Sequence, residues 1–416
     1  MSRIIPYPPP LQNLAALSKI AKTAKTQSVS SPCGKVKADM QRNPNRDIIC
    51  GVKEKDMKRT KIQTGSSERT SSVLLCLLVS VLTLVAAGCR TNCPLSLWND
   101  GAPAKKALIE YVAAVTDSGS PDFVPAQDRI AVFDLDGTLL CETAPSYFFW
   151  QLFEHRALDD KNFSPDKNQR TSAQAARAKG VCPSLSAARG QMVSAAYRGM
   201  TPEMFDEYVH AFMEEPQPGF SGMKRGEAFY RPMVEVVEFL VQNDFTVYVI
   251  SGSNRLVVRA LVKRSLPLPA RQLIGSDSGF AASGQGDVPP LDYTFSKGDK
   301  VLLSGRFLTQ CLQMNKVSAI VREIGDKPLL AFGNSMTDAS MCNYVISDPP
   351  GGGRRAPLAF MLLCDDTTRE YGNPEKAEKM RKACAENGWI PVSMRDDWKT
   401  IYGDNVSKTQ LPSYAQ

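Results

Sequence analysis

Two aspartates stand two positions apart in Asp134-Leu135-Asp136-Gly137-Thr138, directly after the apolar run Arg129–Phe133. At a strand end, side chains at i and i+2 share a face, so both carboxylates can turn toward one ligand, and Gly137 permits a tight exit. One carboxylate can attack a phosphorus atom while the other manages the proton on the ester oxygen. A Mg²⁺ ion between them would screen their repulsion and bind phosphate oxygens. Three further stretches carry complementary groups. Ser251-Gly252-Ser253 offers a hydroxyl and backbone N–H groups that can hold a phosphate. Lys316 can set an ammonium on the phosphate and the nucleophile, and Asn334 and Asp338 in Gly333-Asn334-Ser335-Met336-Thr337-Asp338 offer metal-ligating oxygens. Each stretch alone also has a bland reading: an acidic loop, a turn, a surface lysine, a glycine after a strand.

The elements that must position these groups are short and apolar. Arg129–Phe133, Phe245–Ile250 and Leu329–Phe332 read as buried strands, each running into one of the motifs, and Ile390–Ser393 reads as a further strand. Helices are predicted around Lys105–Thr116 and across much of 145–215, where Thr201-Pro202-Glu203 supplies an N-cap and an N1 proline. Met233, Val236, Val237 and Leu240 give one apolar helical face, Val317–Ile324 is helical, and Asn373-Pro374 opens a helix that Gly388 closes. Apolar strands alternating with amphipathic helices predict an α/β fold, a parallel sheet covered by helices on both faces. Ligands of such sheets bind beyond the carboxyl ends of the strands, where every motif above lies.

The motifs in this order resemble the haloacid dehalogenase-like phosphohydrolase superfamily, over roughly residues 128–402. The resemblance implies a Rossmann-like core, 128–144 with 228–416, and an inserted helical cap, 145–227. It implies Asp134 as nucleophile, Asp136 as general acid and base, Ser251 with Gly252 on the phosphate, and Lys316 as the phosphate lysine. Asp134, Asp136, Asn334 and Asp338 would form a Mg²⁺ site. Asn334 stands where many members carry aspartate, which removes a negative charge. Lys300 rivals Lys316, which is favoured because 18 residues before Asn334 leave room for one helix and one strand. Leu139-Leu140-Cys141-Glu142-Thr143 and Tyr230-Arg231-Pro232-Met233 are similar to the group holding phosphorylcholine and phosphoserine phosphatases. Glu142 could face the substrate and favour a cationic head. The cluster Tyr147, Phe148, Phe149, Trp150 and Phe153 is cap core, or else lines an alkylammonium pocket.

Charge and cysteine usage bound the rest. Residues 1–88 hold 14 Lys+Arg against 5 Asp+Glu, and the remaining residues hold 36 against 38. The basicity therefore belongs to the leader, and the folded part has no nucleic-acid footprint. Residues 1–56 read as an over-extended or disordered leader. Residues 57–88 read as a signal peptide, with a basic run, the apolar stretch Val73–Ala87 and small residues before Cys89. That pattern resembles a bacterial lipobox with Cys89 lipidated, although Ala86 stands where leucine is usual. A plain anchor helix or a buried helix are the other readings. Residues 89–127 read as a linker and first helix. The eleven cysteines show no CxxC pair; some could be bridged in an exported chain, and most read as small buried residues. Two histidines, His155 and His210, in no motif, argue against multi-histidine zinc or histidine-phosphatase chemistry.

The expected function is thus a Mg²⁺-dependent phosphomonoesterase acting on a small phosphorylated metabolite. The protein would be anchored in the cell envelope by lipid, or cytoplasmic if the leader is no signal. A phosphotransferase or phosphomutase, and a binding lipoprotein that lost catalysis, are the alternatives. A dehalogenase does not need Asp136, and an ion pump needs more membrane-spanning sequence.

Overall fold

The computed structural model describes residues 94–142, 147–179, 187–347 and 355–411. The expected signal peptide and Cys89 lie outside the described residues. Among these residues, no helix is long and apolar enough to cross a membrane.

The strands are β1 Ile130–Phe133, β2 Phe220–Ser221, β3 Thr246–Asn254, β4 Leu273–Ala282, β5 Val301–Thr309, β6 Leu330–Gly333, β7 Leu358–Leu363, β8 Ile390–Ser393 and β9 Ser407–Lys408. Seven form one sheet in the order β5-β4-β3-β1-β6-β7-β8, and β2 pairs with β9. All pairings in the large sheet are parallel except β4 with β5. The helices are α1 Pro103–Thr116, α2 Phe148–Leu158, α3 Lys167–Lys179, α4 Ala187–Ala195, α5 Pro202–Met213, α6 Arg231–Gln242, α7 Arg255–Ser265, α8 Met314–Ala319, α9 Ala339–Ile346 and α10 Pro374–Asn387.

Every residue of β1 and β6 is buried. Alternate residues serve different cores, because successive side chains of a strand point to opposite faces. Ala131 and Phe133 join one cluster with Val237 and Leu240 of α6, and Val132 joins the other with Met341 of α9 and Met380 of α10. This is the two-sided cover expected of a parallel sheet. On the first face Phe133, Phe332 and Phe360 stack with centroids 4.2 and 4.8 Å apart. Their register, Phe133 beside Phe332 beside Phe360, sets β1 and β6 to end at one height. Asp134 and Gly333 therefore leave the sheet side by side, and Asp134 N–H donates to the Phe332 carbonyl at 2.9 Å.

The caps read from the sequence hold. Thr201 Oγ1 accepts from Met204 N–H at the start of α5, Asn373 Oδ1 accepts from Lys376 N–H at α10, and Gly388 ends α10 at φ 74°. The antiparallel strand β5 departs from the expected all-parallel sheet. Its outer edge would expose unpaired backbone groups, and α4 with the turn after it supplies their partners. Gln191 imitates a strand: its amide donates to the Gly305 carbonyl at 2.8 Å and accepts from Phe307 N–H at 2.9 Å.

Among the aromatics at the start of the cap segment, Phe148, Trp150 and Phe153 are buried in the apolar core. His155 pairs with Glu215 and His210 with Asp206, so both histidines serve local structure. Cys141, Cys311, Cys342 and Cys384 are buried, as small apolar residues would be, and Cys364 is partly buried.

Glu154 on α2 is 7% exposed, and burial pushes its carboxyl up to about 7 against the pull of Arg177 and Arg225. A carboxyl raised in the folded state stabilises below its ordinary range and loses that contribution as pH rises toward 7. The loss is about 3 kcal/mol. We expect Glu154→Gln to be more stable than the wild type at pH 8 but not at pH 4.5, read by urea unfolding. A difference that does not change with pH would refute the assignment.

Candidate functional site

The loop after β1 is a tight turn in which the Leu135 carbonyl accepts from Thr138, Leu139 and Leu140 N–H, and Gly137 takes φ 84°. It holds Asp134 and Asp136 at the mouth of a cleft lined also by Tyr147, Gly252, Ser253 and Asn334. Both aspartates are buried, at 7% and 9% exposure.

Lys316 of α8 is wholly buried and donates to Asp134 Oδ1 at 2.5 Å and Asp338 Oδ1 at 2.7 Å. The start of α8 is tied to the turn after β6 by Gln313 N–H, which donates to the Thr337 carbonyl. Burial works against the ammonium charge, but the Asp134 and Asp338 carboxylates outweigh it and hold the lysine pKa above its ordinary value. Burial, joined by Asp338, pushes the Asp134 carboxyl well above the usual carboxylate range, while Lys316 opposes it. Lys300, the rival lysine, is exposed beside β5 and its backbone N–H donates to Ser283. Of the two lysines, Lys316 is the one bonded to Asp134.

Asp338 departs from expectation. It is fully buried; Oδ1 takes Lys316, and Oδ2 accepts the N–H groups of Asn334 and Ser335 at 3.1 Å each. With both oxygens engaged away from the cleft it anchors the lysine and the turn and is no metal ligand here. Gly333 is required for this: a Cβ there would lie 2.6 Å from the Asp338 Cβ.

Ser251 is corrected in part. Strand β3 runs on through Asn254, so Ser251 and Ser253 share one face. Both hydroxyls donate to Asp136 Oδ2, at 3.2 and 2.7 Å. Ser251 is wholly buried, and Gly252 and Ser253 are the residues that line the cleft. Ser253 was readable from the same period of two that relates Asp134 to Asp136. Burial pushes Asp136 up to about 6, the two serine hydrogen bonds hold it down, and Glu142 adds repulsion.

Glu142 is already fully engaged. Tyr147 donates to it at 2.8 Å, Asn334 Nδ2 at 2.7 Å and Lys376 Nζ at 3.2 Å to both oxygens. A substrate cation therefore meets no unpaired carboxylate there. Tyr147, grouped with the cap aromatics by sequence, is a cleft residue. Lys376 had no local signal, since its partner lies 234 positions away.

For a metal, the donor set is two carboxylates and an amide oxygen. Among the described residues, no three His, Cys, Asp or Glu side chains form a metal-ligand cluster. Asp136 Oδ1 is buried without a hydrogen-bond partner, beside Asp134 and Asn334 on the same cleft. Oxygen-only donors with few carboxylates suit Mg²⁺, which keeps several waters and takes phosphate oxygens. Asp134, Asp136 and Asn334 fit it.

The described sheet and this site can be set beside known proteins. A protein of unknown function from Bordetella pertussis Tohama I is 14% identical, covering 64% of this chain and 97% of its own, at TM-score 0.40. A phosphoserine phosphohydrolase-like protein from Francisella tularensis subsp. tularensis SCHU S4 is 11% identical, covering 61% and 92%, at TM-score 0.32. A phospho-aspartyl intermediate analogue of phosphoserine phosphatase is 13% identical, covering 62% and 98%, at TM-score 0.30. No curated protein matches the sequence. The haloacid dehalogenase-like hydrolase profile matches residues 131–342, spanning Asp134, Asp136, Ser251, Lys316, Asn334 and Asp338. The chain belongs to the haloacid dehalogenase-like hydrolase family.

Proposed function

We propose that the protein is a Mg²⁺-dependent phosphomonoester hydrolase working through an aspartyl-phosphate on Asp134. The observation that carries this reading is the pair of unequal carboxylates. Asp134 is held by a buried ammonium, whereas Asp136 is held by two hydroxyls.

In the first step an Asp134 oxygen attacks phosphorus, the ester P–O bond breaks, and Asp136 gives its proton to the leaving alcohol. In the second, Asp136 takes a proton from water as the water oxygen attacks phosphorus, which frees Asp134 and phosphate. Lys316 keeps Asp134 oriented and offsets charge, and Gly252 and Ser253 face the phosphate. Bound Mg²⁺ would supply charge neutralisation at the phosphate oxygens, held by Asp134, Asp136 and Asn334.

The substrate is a small phosphorylated metabolite. A cationic head finds no open carboxylate at Glu142, so phosphocholine and phosphoserine have no advantage on that ground. The test is a screen of phosphorylated metabolites for phosphate release, with Mg²⁺ and with EDTA. Release from at least one small phosphomonoester that EDTA removes is expected, and no metal-dependent release from any would overturn the reading. The envelope location rests on the 57–89 pattern alone; its signature is an acylated Cys89 in the mass spectrum of the native N-terminus.

A further inference from the structure

We infer that Asn334 and Glu142 are a matched pair, in which Glu142 positions the Asn334 amide so that a neutral side chain serves where carboxylate is usual. The inference rests on the reading of Asn334 as a metal ligand. Asn334 Nδ2 donates to Glu142 Oε2 at 2.7 Å, with the two residues only 7% and 8% exposed. An amide carries its oxygen opposite its nitrogen, so the nitrogen bound to Glu142 turns Oδ1 away from it. Asn334 lines the same cleft as Asp134 and Asp136, the side on which an oxygen donor is needed.

Glu142 is itself fixed. Tyr147 holds one oxygen, and Lys376 reaches across from α10 to both. The pair also has no room to rearrange. A Cβ at Gly137 would lie 1.9 Å from Asn334 Nδ2 and 2.7 Å from Glu142 Oε2, so both side chains pack directly on the turn just after Asp136.

An aspartate at 334 has acceptors only. It would face Glu142 at hydrogen-bond distance, two carboxylates with one half-exposed lysine beside them. An aspartate at 334 is therefore tolerable only if residue 142 can donate.

The test is a cycle of Asn334→Asp, Glu142→Gln and the double variant in the full chain, read without substrate. Calorimetric titration with Mg²⁺ gives affinity, and thermal unfolding in EDTA gives stability. Glu142→Gln alone keeps an amide oxygen that can accept from Asn334, so it should change Mg²⁺ affinity and melting little. Asn334→Asp alone should melt at least about 4 °C lower in EDTA, and Mg²⁺, which relieves the carboxylate repulsion, should restore part of that loss. In the double variant the introduced glutamine amide can donate to the introduced aspartate, so it should bind at least as tightly as wild type and recover the melting temperature. Melting shifts in EDTA that simply add, or an Asn334→Asp variant that melts as the wild type does, would overturn the pairing. If Asn334→Asp does not fold, a folded double variant supports the pair and an unfolded one refutes it. A wild type that takes up no Mg²⁺ would instead remove the metal reading, while the melting cycle in EDTA still decides whether the two residues are paired.

Discussion

Asp134→Asn should abolish phosphate release and phosphoenzyme together, whereas Asp136→Asn should slow the enzyme by about 10² to 10⁴. The difference follows from position. Asp134 is held at 2.5 Å by Lys316 and supplies the bond to phosphorus; Asp136 accepts from Ser251 and Ser253 and moves protons only. An aryl phosphate has a good leaving group and needs little protonation, so Asp136→Asn should be phosphorylated and then stall for want of water activation. The measurement is acid-stable radiolabel on the protein after brief reaction with labelled aryl phosphate. Label is expected in Asp136→Asn and absent from Asp134→Asn. Label persisting in Asp134→Asn would refute the nucleophile and the mechanism built on it.

The largest expected loss of stability belongs to Lys316→Met. The side chain has no exposed surface and is the cation between Asp134 and Asp338. Its removal leaves two buried carboxylates facing each other, and breaking a buried pair in this way costs about 3–5 kcal/mol. Protonating a facing carboxylate relieves their repulsion, so the cost is larger at pH 7 than in acid. Urea unfolding of wild type and variant at pH 7 and pH 5 measures both effects. A loss under about 1 kcal/mol at pH 7, the range of surface pairs, would show that the lysine is not holding the site together. Activity should fall with stability, since Asp134 loses its orienting partner.

Much of the frame was legible locally. The Asp134–Asp136 pair, the Thr201 and Asn373 caps, the Gly388 stop and the strand Ile390–Ser393 all follow from short-range rules of period and backbone freedom. Strands β4 and β5 were not, because Gly275, Gly279 and Gly305 interrupt their apolar alternation, and their edge is completed by Gln191 from a distant helix. Strand β7 carries a plain apolar run, Leu358–Leu363, and is absent from the elements expected from sequence. The expected helix Val317–Ile324 is helical, but it starts earlier, as α8, and changes at Ala319 to a π-helix over Ile320–Ile324, a change of hydrogen-bond pattern that side-chain period does not encode.

The sequence by itself determined which groups are available and that they sit at one end of the strands: carboxylates at i and i+2, hydroxyls at the end of β3, oxygens after β6. Tertiary structure decided what each is bonded to. Lys316 meets Asp134 across 182 residues and excludes Lys300. Asp338 turns inward to that lysine instead of a metal, and Glu142 finds Lys376 and Asn334 instead of a substrate cation. The reason is that local pattern constrains backbone conformation and facing, whereas the partner of a buried charge depends on which distant segments the sheet order brings within hydrogen-bond distance.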